Sequence, residues 1–210
     1  MTTGADPRGS TTESARRRAE VALLGRSGDE PAVRARLADR DGRVRVAAAA
    51  ALARIGSIRG DDLAPLLGDP DPELRRDTCE IAARVPGAPV APLLADPDPR
   101  VVEAAAFAVG ELALADAVPE LARVALSHSD RLCRESAVAA LGAIGDERGL
   151  GAVLAATRDS PAIRRRAVVA LAAFSGPDVD AALRIALGDR DWQVRQAAED
   201  VLGVTGGEPS

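Results

Sequence analysis

Residues 69–87 read "DPDPELRRDTCEIAARVPG", residues 96–112 read "DPDPRVVEAAAFAVGEL", and residues 39–56 read "DRDGRVRVAAAAALARIG". A chain that writes one sentence three times is an array of repeats, and the period decides the fold class. Each copy opens on an acidic turn, reaches an apolar anchor and runs on into an Ala-rich stretch. Aligned on that anchor, six copies appear, at Val44, Leu74, Val101, Cys133, Ile163 and Val194, separated by 30, 27, 32, 30 and 31 residues. From most anchors, apolar residues recur 4, 7, 8 and 11 positions later. Examples are Ala48, Ala51, Leu52 and Ile55 in the first copy and Ala137, Ala140, Leu141 and Ile144 in the fourth. That spacing is one face of an α-helix, and no stretch alternates as a strand would.

The helix starts are written three residues before the anchors. Asp41, Asp71, Asp98, Asp130, Ser160 and Asp191 are all residues whose side chains accept from the free N–H groups of a first turn. Pro72, Pro99 and Pro161 follow directly, where a missing N–H costs nothing. Gly56, Gly87, Gly145, Gly176 and Gly206 mark the ends. Between these helices lie shorter apolar segments, at 61–69, 88–96, 118–126, 150–159 and 179–189, each read as the first helix of a pair. About 30 residues per helix pair is a helical-solenoid period, in which each pair exposes an apolar face until a neighbour stacks on it. One domain over 13–206 is expected, with 13–28 as a half-repeat capping the stack and 1–12 and 207–210 as disordered tails.

The turns "DRDGRVR", "DPDPELR", "HSDRLCR", "RDSPAIR" and "DRDWQVR", each followed by an Ala-rich helix, resemble those of HEAT repeats, and within them the phycobilin-lyase HEAT-like group. The resemblance covers roughly residues 28–206 and implies an all-α, right-handed α-solenoid of about six antiparallel helix pairs. It also implies that the repeated Asp and Arg residues bond between neighbouring repeats. These are Asp41, Asp71, Asp130 and Asp191 with Arg45, Arg75, Arg134, Arg164 and Arg195. The third copy breaks this ladder with Val102, and the fifth with Ser160.

Composition narrows the function. The formal net charge is -5, and every one of the 27 basic residues is Arg, a pattern that a GC-rich bacterial genome explains. Only Phe107, Phe174 and Trp192 are aromatic. Cys79 and Cys133 offer neither a disulfide framework nor metal-ligand spacing. The polar start and the lack of a membrane-length apolar run point to a cytoplasmic protein with no membrane partner. An acidic chain short of aromatics disfavours a nucleic-acid partner. The single histidine, His128, cannot supply the repeated His-Glu pairs with which HEAT-like hydroxylases hold iron, so neither a metal nor another cofactor is expected.

Positions 2 and 6 after each anchor are left over from packing and are expected on an outward, concave strip. They include Arg76, Glu80, Glu103, Phe107, Glu135, Arg165 and Gln196. Mixed charge around Phe107 suits a protein segment better than a phosphate backbone, although a register slip of one residue would bury Phe107. Trp192 has two readings, packing over the preceding turn or anchoring the edge of a partner interface. Cys133 is a core anchor, and Cys79 lies beside the core stripe. The function expected is a non-enzymatic scaffold or adaptor binding a protein partner on that strip. The alternative, from the resemblance, is a subunit of a bilin or tetrapyrrole lyase acting on a chromophore-bearing protein. Arg76 and Arg165 could meet propionates, while the scarcity of aromatics argues against a bound tetrapyrrole.

Overall fold

A computed structural model describes residues 7–203 of the chain. Among these residues the regular structure is helical throughout, with twelve α-helices and five short 3-10 segments. The chain divides into two compact units, Met1–Val90 and Ala91–Ser210, where the sequence reading expects one domain. The division falls at the proline-rich stretch preceding the third anchor.

The first unit holds α1 (Pro7–Ser27), α2 (Glu30–Ala35), α3 (Gly42–Arg54), α4 (Gly60–Leu67) and α5 (Pro72–Ala82). Helix α1 packs on α3, and α3 on α5. Val21, Val33, Val44, Ala48, Ala51 and Leu52 form one buried cluster across α1, α2 and α3. Helix α1 thus caps this unit, and it begins at Pro7, inside the stretch expected as a disordered tail. Residues 1–6 and the 207–210 tail lie outside the described residues.

The second unit holds α6 (Pro99–Glu111), α7 (Val118–Ser127), α8 (Arg131–Ile144), α9 (Leu150–Ala156), α10 (Pro161–Ala170), α11 (Pro177–Ala186) and α12 (Trp192–Leu202). Helices α6, α8, α10 and α12 stack in that order, with α7, α9 and α11 alongside. All six anchors are buried, Leu74 the least so at 6% exposure. The helices recur in pairs at the period of the sequence.

The local signals act as capping chemistry requires. The Asp41, Asp71, Asp98, Asp130 and Asp191 carboxylates each accept the N–H two residues ahead, at 2.7–2.9 Å. Ser160 does not cap with its side chain; its own N–H donates to Asp159 Oδ1 at 2.6 Å instead. Helix α12 ends at Gly203, with φ of 65°, rather than at Gly206, which lies outside the described residues. The third repeat has no glycine in this place, and Ala113 takes the left-handed conformation, φ 49°, at a steric cost.

One expected helix does not form. The segment 88–96 holds only a 3-10 turn, Ala91–Ala95. Pro89 and Pro92 each lack an N–H and push the preceding residue away from helical geometry. Val90, Leu93 and Leu94 are buried nonetheless. Hydrophobic pattern alone was enough to place these side chains but not to wind the backbone.

Small residues set how closely the second helices approach. A Cβ on Gly142 of α8 would lie 2.6–2.7 Å from the Cβ and Cα of Ala170 on α10, while one on Gly151 of α9 would meet nothing within 4 Å. Gly142→Ala is therefore expected to destabilise the protein by about 1–3 kcal/mol through overpacking. Gly151→Ala is expected to stabilise it by about 0.5 kcal/mol through helix propensity. Urea unfolding of the two variants checks the opposite signs.

Candidate functional site

In three repeats the arginine that follows the anchor, Arg45, Arg134 or Arg164, is a clamp between two turns. Arg134 Nη1 donates to the carbonyl of His128 at 2.9 Å, closing its own turn. Its Nε and Nη2 fork onto both oxygens of Asp159, at 3.0 and 3.2 Å, in the turn of the next repeat. Arg164 repeats the arrangement, with Nη1 on the carbonyl of Asp159 at 3.0 Å and the fork on Asp189 at 2.8 and 2.7 Å. In the first unit Arg45 donates to the Asp39 carbonyl and pairs with Asp69. Arg17 of α1 reaches Asp39 at 3.0 Å in the same manner. Arg75 and Arg195 also donate to the carbonyl six residues back, each at 2.8 Å.

The carboxylates on the inter-repeat rungs are therefore Asp69, Asp159 and Asp189, one or two residues before the caps named from the sequence. The caps Asp71 and Asp191 hold their own helix starts, because a cap oxygen must face the first turn. Asp39, Asp69, Asp96 and Asp189 each also accept the N–H of the following cap residue, at 2.8–3.0 Å. The guanidinium forks hold the Asp159 and Asp189 carboxyls below the usual carboxylate range. The same bonds raise Arg134 and Arg164.

The break at Val102 gains a physical reason. Val102 is fully buried, and in the following turn His128 stands where other repeats place the rung aspartate. His128 Nδ1 accepts the N–H of Asp130 at 3.0 Å, so the turn keeps its bond while the rung loses both charges together. No cation and no carboxylate is left stranded there. Burial, with Asp130 and Glu103 nearby, pushes the Cys133 thiol up to about 11, and it donates to the Pro99 carbonyl at 3.1 Å. Cys79 is fully buried as well. Neither thiol is placed for nucleophilic chemistry. Among the described residues no group of His, Cys, Asp and Glu could hold a metal ion. No helix of the described residues is long and apolar enough to cross a membrane.

What remains for a partner is the strip left by packing. In the second unit the residues 2 and 6 after the anchors all escape full burial. Phe107 is 51% exposed and Trp192 65%, so neither serves as core. Glu103, Phe107 and Glu135 line a groove of about 410 Å³ between α6 and α8, with Glu111, Leu132 and Arg166. Arg165, Trp192 and Gln196 line another, of about 800 Å³, between α10 and α12, with Arg166, Val169 and Asp200. A third trough, between α8 and α10, shares Ala139, Ala143 and Arg166 with the first and Arg166, Val169 and Ala172 with the second. The three make one surface, with carboxylates at the α6 side and guanidinium groups at α10. Arg76 and Glu80 belong to the first unit, where Arg76 Nε donates to Asp77 at 3.0 Å and lies 4.0 Å from Glu80. Sequence reasoning missed Glu111, Leu132 and Arg166, because it followed only two columns per helix.

Residues 87–162, which contain α6, α7, α8 and α9, match the family model of HEAT repeats. Solved structures extend the likeness in fold. An engineered protein superposes with a TM-score of 0.62 at 21% identity, over 83% of this chain and 95% of its own. A designed armadillo repeat protein in complex with the peptide (KR)4 gives 0.63 at 19%, over 82% and 98%. The complex of CpcE and CpcF of phycocyanin lyase from Nostoc sp. PCC7120 gives 0.56 at 18%, over 68% and 97%. No curated protein matches the chain in sequence. The fold is thus that of the helical-repeat solenoids.

Two expectations concern the ladder. Arg164 and Asp189 are 9% and 15% exposed, so Arg164→Met is expected to cost about 3 kcal/mol by leaving a desolvated carboxylate alone. The Asp159 and Asp189 carboxyls titrate lower in the folded chain, so their contribution is complete above the unfolded carboxylate range, near pH 4, and is lost as pH falls through the folded values. Urea midpoints measured from pH 7 to pH 2 should fall below about pH 4, and Arg164→Met should flatten that fall. At the broken rung, Val102→Arg alone should destabilise by burying a lone charge. Combined with His128→Asp it should recover at least about 1 kcal/mol, read as the coupling energy of a double-mutant cycle.

Proposed function

We propose that the chain is a cytoplasmic, non-enzymatic scaffold or adaptor that docks a protein segment on the α6–α8–α10–α12 strip. The observation that carries this reading is the set of exposed apolar side chains on that strip. Phe107, Leu132, Val169 and Trp192 project from helices whose anchor positions and Ala-rich faces are consumed by packing. Two of the chain's three aromatic residues lie there, and aromatic side chains supply much of the energy of protein interfaces. Mixed charges around them favour a specific segment over a general hydrophobic surface. The peptide-bound designed armadillo protein supports the use of this class of fold for holding a peptide.

A second reading rests on the likeness to the phycocyanin lyase complex. Here the α10–α12 groove, with Arg165, Arg166 and Trp192, would face the chromophore of a partner protein, the arginines meeting carboxylates and Trp192 stacking. This reading needs a tetrapyrrole-bearing partner, and the first does not.

Capture with tagged protein from the native host's lysate, read by mass spectrometry and by visible absorption of the eluate, separates the two. A stoichiometric protein in a colourless eluate is expected, and tetrapyrrole bands would transfer the assignment to the lyase reading. Phe107→Ala with Arg165→Glu should reduce recovery of that partner at least tenfold, and unchanged recovery would remove the strip from the interface.

A further inference from the structure

The groove between α6 and α8 has a chemistry of its own. Glu103, Phe107 and Glu111 stand four residues apart on α6, a carboxylate, an aromatic ring and a carboxylate in one column. The opposite wall, from α8, carries Leu132, half exposed, and Glu135. The floor is Gly110, Ala139, Ala140 and Ala143, small enough for a backbone to approach closely. Glu135 is already met by Arg166 at 3.6 Å, whereas Glu103 and Glu111 form no ion pair among the described residues. Glu111 is the last residue of α6, where the helix dipole is negative and a carboxylate is unfavourable. A cation from outside would relieve both.

We infer that this groove takes an extended protein segment that presents an apolar side chain with a basic side chain two residues to either side of it. The inference rests on the docking reading and names the chemistry of its partner. The spacing follows from geometry. Four residues of helix rise about 6 Å, so the two carboxylates are about 12 Å apart along α6. In an extended chain side chains two positions apart share a face and are separated by about 7 Å, and those four apart by about 13 Å. A basic–x–apolar–x–basic segment lying along the helix axis therefore sets its cations over Glu103 and Glu111 and its apolar residue against Phe107 and Leu132. Arginine also suits Phe107 directly, because a guanidinium plane stacks on an aromatic face. An acidic segment meets repulsion at both ends of the column.

The test uses the whole protein and three fluorescein-labelled peptides, Gly-Arg-Gly-Leu-Gly-Arg-Gly and its counterparts with Gln or Glu in place of Arg. Fluorescence anisotropy should show the Arg peptide binding at least tenfold more tightly than the Gln peptide, with the Glu peptide weakest. Glu103→Gln/Glu111→Gln should weaken the Arg peptide at least tenfold, with circular dichroism unchanged. Asp61→Asn/Asp178→Asn makes the same charge change away from the groove and should leave binding within twofold, which separates local recognition from the attraction of an acidic protein. Equal affinity for the three peptides, absence of binding, or an equal loss in both double variants overturns the inference. If the Gln or Glu peptide binds instead and Phe107→Ala abolishes it, the docking reading stands and only the basic preference falls. Loss of the docking reading itself would show as unchanged recovery of the captured partner in the Phe107→Ala/Arg165→Glu protein.

Discussion

An arginine held between two turns is the constraint on which the rest of the repeat depends. Its Nη1 closes the turn of its own repeat, and the remaining N–H groups fork onto a carboxylate of the next. That carboxylate also receives a cap residue's N–H, so turn closure, helix start and repeat stacking share one small network. Because the Arg164–Asp189 and Arg134–Asp159 forks are two-pronged, they specify distance and orientation together. Hydrophobic burial supplies the larger driving force, but it is non-directional and would tolerate a slip of the stack. The forks do not tolerate one.

With registry held at the turns, the helices can approach through alanine and glycine. Gly110 lies against Ala140, and Gly142 against Ala170. Close approach buries most of each second helix, leaving two or three columns on one face to meet anything else. That accounts for a protein with few large side chains still displaying Phe107, Leu132, Val169 and Trp192 together. Alanine and glycine fill the contacts between these helices, and the four large apolar side chains lie outside those contacts on the surface.

The repeat period, the helix faces and the caps were legible in the sequence because each is a local matter. A carboxylate followed by proline and an apolar anchor writes a helix start whatever surrounds it. The outward position of Glu103, Phe107, Glu135 and Arg165 was legible for the same reason, since helical phase follows from the anchor. The segment 88–96 shows the limit, where apolar spacing resembled a first helix and two prolines overrode it. The ladder partners show another. Asp71 and Asp69 differ little as sequence, and which of them meets Arg45 depends on how the turn curls.

The sequence by itself determined that the chain is a repeating stack of helix pairs, because periodicity and capping act within a few residues. Only the tertiary structure decided which aspartates clamp which arginines, that Val102 and His128 are one paired change, and that Glu111, Leu132 and Arg166 join Phe107 in a groove. Apart from Glu111, which shares α6 with Phe107, those facts concern residues 24–59 positions apart in the chain, and they are set by where neighbouring repeats come to rest. Contact across repeats is a property of packing, and it is there that a helical array acquires a surface particular to this protein.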